Sequence, residues 1–348
     1  MKGKDLLKYA LSVAAALVLL YFSFRSMDWG AFVACLKACR WEYVLVTMLC
    51  CTGVQWVRAL RYRMLLRPMD ASLPFRAAIS SVNIGMLANL VLPRAGELVR
   101  CGYVTRHSRR GADGRRLASV DKVLGTVVVE RGWDVVFGLG MLVVLFMVLW
   151  GRFGAYVRGN LLGPLREKAA AIWLLPVLLV LVGLALWLLY RFRERSRICR
   201  KLFELFQGLG IGLSACLHMK RGWLFVLYTF VVWLLYWGQS WFVLLAMQGI
   251  APGALDGAFA EGLALLQGLG PVDALFLTLA GAASTLIPVP GGFGAFHGVV
   301  AGALSSVYGV PFGLGLLFAT LTHEAVTLTQ ILLGLGSFAY ESVKKPIA

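Results

Sequence analysis

Six stretches of the chain, at roughly 6–24, 41–57, 123–150, 169–190, 222–248 and 312–339, are apolar over about the 20 residues a helix needs to cross a bilayer. None alternates apolar and polar side chains at every second position. Backbone N–H and C=O groups left unpaired in hydrocarbon are very costly, so such runs must be helices and a barrel is excluded. Composition agrees, with 59% of the 348 residues hydrophobic and 15% charged, against about 25% charged in soluble domains. The expected fold is all-α, a polytopic integral membrane bundle forming one transmembrane domain over 1–348.

Lysine and arginine near span ends mark the cytoplasmic side. Lys2, Lys4 and Lys8 place the N-terminus inside, Arg58, Arg61, Arg63, Arg67 and Arg76 do the same for the flank of the second span, and Lys344 and Lys345 for the C-terminus. Residues 249–273 carry Asp256, Glu261 and Asp273 but no lysine or arginine, and are expected to form an outside loop. The net charge of +17 is therefore read as topology and contact with anionic head groups, not as a nucleic-acid surface. The basic start and apolar core of the N-terminus have the look of a signal peptide, but no small-x-small cleavage site follows, so this is read as the first span. The expected setting is a bacterial cytoplasmic (inner) membrane. The loop 151–168 is basic yet counts as outside, and 198–218 reads as an amphipathic helix along the cytoplasmic interface. Seven scattered cysteines show no paired C-x-x-C motifs, so neither a disulfide framework nor a zinc site is indicated.

A conflict in the charge pattern is informative. The basic segments 58–76 and 106–122 should both be cytoplasmic, yet only one apolar arm, 77–92, and a short return lie between them, joined by "PRAGE". A single crossing would put one basic cluster outside; a re-entrant hairpin over about 77–105 keeps both inside. A second pair of apolar arms, about 274–308, is joined by Pro288-Val289-Pro290-Gly291-Gly292. Its arms begin on the outside, and "ANLVLPRAG" is similar to "ASTLIPVPG". Paired Gly/Pro-interrupted segments approached from opposite faces fit an inverted repeat with a binding site near the midplane.

At the first tip, Arg94 and Arg100 offer guanidinium forks suited to a phosphate, and the helix opening after Pro93, through Ala95, Gly96 and Glu97, offers N–H groups and a positive dipole end. Glu97 would pair with an arginine or meet a head-group amine. An ordinary water-exposed interfacial cap is the alternative. Glu130 and Asp134 share a helix face with Arg131 beside them; they either neutralise the hairpin arginines or form an ion pair that fixes helix orientation. The glycines of "PVPGGFGAFH" permit close backbone approach, and His297 reads as a packed histidine or a proton carrier. "THEAVT" lacks the second histidine of an H-E-x-x-H site, so no metal is expected, while Glu324 within a span is a candidate for the cavity or for proton coupling.

The string "NLVLPRAGELVR", then a basic loop and "VVVERGWD", resembles the transmembrane region of the lysylphosphatidylglycerol synthase/flippase family, and "IPVPGGFGAFHG" is similar to that family's second block. The resemblance spans about residues 5–340. It implies a lipid-translocating module, with Asn89, Pro93, Arg94, Gly96, Glu97, Arg100, Glu130, Arg131, Asp134, Pro290, Gly291, Gly292 and Gly294 as matching site positions. Family members often carry glutamate where this chain has His297. A fused synthase domain, present in full-length members, has no counterpart expected among these residues.

The functional expectation is a flippase for an anionic phospholipid, aminoacyl-phospholipid or polyprenyl-linked lipid, without a cofactor. The alternative is a membrane subunit of a lipid head-group transferase, and a scaffold that only anchors partners is a third reading. Against catalysis, the sequence shows no nucleophile-base pair, G-x-S-x-G elbow or Walker loop. A lipid-modifying enzyme and a second copy of the chain are the protein partners such a module would admit.

Overall fold

The structure, a computed structural model, describes residues 3–25, 27–112, 114–148, 221–251, 253 and 257–343, with a few isolated positions between 149 and 220. The expected span 169–190, the loop 151–168, the interfacial helix 198–218, Asp256, and Lys344 and Lys345 lie outside the described residues, isolated positions apart. The chain divides into two compact units, Met1–Val127 with Leu224–Ala348, and Val128–Trp223.

The described residues form α1 (Gly3–Phe24), α2 (Trp29–Ala38), α3 (Trp41–Leu66), α4 (Phe75–Val91), α5 (Ala95–His107), α6 (Val120–Val148), α7 (Gly222–Gln248), α8 (Gly257–Gln267), α9 (Pro271–Ser284), a 3-10 turn at Pro290–Gly292, α10 (Ala295–Tyr308) and α11 (Phe312–Val343). The all-α expectation holds. Four helices, α3, α6, α7 and α11, are long and apolar enough to cross a membrane, and six spans result if the bent pairs α1/α2 and α8/α9 each cross as one. Leu328, Leu332, Leu335 and Phe338 make an exposed apolar stripe down α11 at three- and four-residue spacing, as lipid contact requires.

Two helices stand where none was expected. α8 replaces much of the loop assigned to 249–273, because Leu263 and Leu266 recur at helical spacing and are buried. α2 begins where Asp28 accepts the Ala31 N–H at 3.0 Å and buries Phe32 and Cys35, three residues apart. Both are too short to register as spans. α3 is also longer than the run 41–57. Arg58 and Arg61, assigned to a solvated flank, are buried inside it.

The first unit holds two principal cores. One gathers α2, the start of α3, and α7 to α11; the other gathers the end of α3, α4, α5 and the start of α6. α11 packs on α10, α4 and α3, so one helix backs both hairpins. Gly334 allows this, since a Cβ there would stand 2.7 Å from Leu87 Cβ on α4. In the absence of a hydrophobic drive between lipid-bathed helices, such close approach at small residues is what holds them.

Each hairpin is fastened at its open end by an aspartate. Asp70, before α4, accepts the Ser72 N–H at 3.0 Å, the Ser108 hydroxyl at 2.8 Å and the Arg109 N–H at 2.9 Å, tying the start of α4 to the end of α5. Asp273, in the first turn of α9, accepts the Gly270 N–H at 2.8 Å and the Tyr308 hydroxyl at 3.0 Å, tying the start of α9 to the end of α10. The chain therefore leaves and returns at one end in both pairs.

Burial alone would raise the Asp70 carboxyl, but the bonds from Ser72, Arg109 and Ser108 outweigh it and hold the group below the ordinary carboxylate range. A depressed folded value means that its stabilisation is complete above the ordinary aspartate range, near 4, and is lost as pH falls through the lower folded value. Asp70→Asn is expected to cost about 2 kcal/mol at neutral pH through the loss of charge-assisted bonds. The apparent melting temperature in detergent should fall at pH 7, and the difference from wild type should shrink below pH 4.

Candidate functional site

The first tip is built by a chain break. Leu92 N–H closes the last bond of α4 on the Ala88 carbonyl at 2.9 Å, and Pro93 has no N–H with which to continue. The turn is then completed by Arg94, at φ 62° and ψ 5°, the one non-glycine residue with positive φ among the described residues. Ala95 N–H bonds the Leu92 carbonyl at 3.1 Å, and Gly96 N–H bonds Asn89 Oδ1 at 2.8 Å. Two of the N–H groups expected to be open to an anion are thus already taken. α4 and α5 cross with backbone against backbone: a Cβ on Gly96 would collide with the Gly85 carbonyl oxygen and with Asn89.

The arginines expected to act together are held differently. Arg94 is exposed at the tip and its side chain does not cap α5. Arg100 is buried, its Cζ 3.6 Å from the centroid of the Tyr62 ring, a cation–π arrangement. Glu97 is partly buried in the first turn of α5.

Around Tyr62 the structure adds two buried cations that the charge pattern had assigned to the flank. Arg61 Nη1 donates to Thr229 Oγ1 at 3.1 Å with its Cζ 5.5 Å above Phe225, and Arg58 Nη1 lies 3.6 Å from Met86 Sδ. Their three-residue spacing inside one apolar helix was the available signal.

In the second unit, α6 carries the remaining candidates. Arg131 and Asp134 form an ion pair at 3.4 Å, and Glu130 is buried. An ion pair within this helix was one of the two arrangements considered for these residues.

The second tip is made by Pro290–Gly292 and the residues around it. Gly291, Gly292 and Gly294 have φ of 60°, 78° and 77°, a left-handed run that residues with a Cβ rarely adopt. Gly294 also lies so close to α1 that a Cβ would stand 2.6 Å from Leu19 Cβ. This tip meets the first one: a Cβ on Gly291 would be 3.3 Å from Leu90 Cδ2, near the end of α4. Behind it, His323 Nε2 is 2.9 Å from the Gly291 carbonyl oxygen, and the ring is edged by Phe293 and Phe296. His297 is buried 5.0 Å from His323 between ring centroids, and Glu324 is partly exposed beside both. The sequence treated His297 and Glu324 separately and set His323 aside; the fold brings all three together.

Two interrupted hairpins with contacting tips, embedded among apolar spans, define a multi-pass helical membrane protein. The family described as "Lysylphosphatidylglycerol synthase TM region" matches residues 9–334, and the chain belongs to it. No curated protein and no solved structure matches the chain.

Proposed function

We propose that this protein is a lipid flippase of the cytoplasmic membrane, moving an anionic phospholipid, aminoacyl-phospholipid or polyprenyl-linked lipid, with its head group passing where the two hairpin tips meet. Both termini are cytoplasmic in this reading, the hairpins are re-entrant from opposite faces, and the chain transports without catalysing head-group chemistry. The single observation that carries it is the contact of the two broken tips with Arg94 exposed on the first. A residue with a side chain in a left-handed conformation costs roughly 1–3 kcal/mol, and such strain concentrates at functional sites. An exposed guanidinium held there is suited to a lipid phosphate. Family membership supports a lipid-related role.

The test is reconstitution into vesicles of phosphatidylcholine with a trace of head-group-labelled phosphatidylglycerol, following the label's accessibility to a membrane-impermeant quencher. The proposal expects faster loss of inner-leaflet label than in protein-free vesicles. For phosphatidylglycerol, equal rates would overturn it.

A further inference from the structure

We propose that His297, His323 and Glu324 form a binding site for a divalent transition-metal ion of the zinc class. Both ring nitrogens of His323 face acceptors. Its Nε2 faces the Gly291 carbonyl at 2.9 Å, an acceptor only, so Nε2 carries the proton and donates. In the neutral ring this leaves a lone pair on Nδ1. Yet Nδ1 faces Glu324 Oε1 at 3.1 Å, a second acceptor. Two lone pairs directed at one another at this range require a proton or a metal ion between them. A proton on either His323 or Glu324 would satisfy that pair but do nothing for His297, which is buried, has no hydrogen bond at Nδ1, and holds Nε2 3.8 Å from the same Glu324 oxygen, beyond hydrogen-bond reach.

One ion accounts for all three groups. The three ligand atoms lie within 4.8 Å of one another. Around a tetrahedral zinc with bonds of about 2.0–2.1 Å, neighbouring ligand atoms are about 3.4 Å apart, between the 3.1 Å and 3.8 Å separations from Glu324 Oε1. Two neutral imidazoles and a carboxylate form a donor set suited to this ion. The His323 Nε2–H bond to the Gly291 carbonyl is the outer contact that fixes a ligating histidine's tautomer and orientation. Phe24, Phe293 and Phe296 surround the rings, and the partly exposed Glu324 leaves a side open for the ion to arrive and for a fourth ligand. Such an ion would also tie α10 to α11 and to the second tip. The site stands whether or not the protein moves lipid.

The full chain, purified without a histidine tag and stripped with chelator, is dialysed against Zn²⁺ and, separately, titrated with Co²⁺ as a spectroscopic probe. The expected result is one Zn²⁺ per chain and visible tetrahedral Co²⁺ bands that Zn²⁺ abolishes. His297→Gln and Glu324→Gln should each weaken binding at least tenfold; Glu324→Gln keeps side-chain shape at a partly exposed position, and a wild-type elution profile verifies its fold. The proposal is overturned if neither ion binds stoichiometrically, if a folded Glu324→Gln protein binds both ions as wild type does, or if His323 simply takes up a proton with no response to either metal.

Discussion

Replacing Gly96 by alanine should destabilise the protein by about 3 kcal/mol, the upper end of overpacking costs, because the added methyl meets backbone rather than a movable side chain. The obstacle is the Gly85 carbonyl oxygen on α4, and Asn89, which stands beside the same point, is itself engaged by the Gly96 N–H. Relief would require α4 and α5 to separate, which opens the first hairpin and displaces its tip. Gly102, on the same helix, is the control: a Cβ there meets nothing within 4 Å, and Gly102→Ala should be neutral or stabilising by up to about 1 kcal/mol from helix propensity. Monodisperse yield and apparent melting temperature in detergent separate the two. Equal stability of the two variants would show that the helices do not cross as described.

Arg94 should behave in the opposite way, with stability and transport moving apart. Arg94→Gly removes a strained left-handed conformation worth roughly 1–2 kcal/mol, offset by glycine's greater freedom when unfolded, for a net gain of about 0.5–1 kcal/mol. If Arg94 grips a lipid phosphate as proposed, losing that charge-assisted bond costs about 1.5–3 kcal/mol, and transport should fall about 10- to 100-fold. Arg94→Lys keeps the charge but not the planar fork and should fall between. A variant more stable than wild type and equally active in the vesicle assay would remove Arg94 from the site.

The hairpins were legible because their signals were local. Pro93 and Pro290 each interrupt an apolar run, and the basic segments on both sides of 77–105 pointed to two short arms in place of one long span. The helices observed, Phe75–Val91 with Ala95–His107 and Pro271–Ser284 with Ala295–Tyr308, lie close to the expected arms. What escaped the sequence depended on packing between distant segments. Arg58 and Arg61 looked like flanking charge until the fold set Thr229, Phe225 and Met86 against them. Asn89 matched by family resemblance alone, and its bond to the Gly96 N–H needs the turn to be closed first. His323 failed a one-helix metal pattern because its companion His297 comes from a different helix, 26 positions earlier.

The two proline-broken tips touch. Photo-crosslinking from position 90 tests this contact most directly: Leu90→p-benzoylphenylalanine, irradiated in native-like membranes and digested, should join α4 to the peptide carrying residues 285–294, as the closeness of Leu90 to Gly291 requires. Crosslinks confined to lipid or to other helices, with none to that peptide in a protein that elutes as wild type does, would contradict the account.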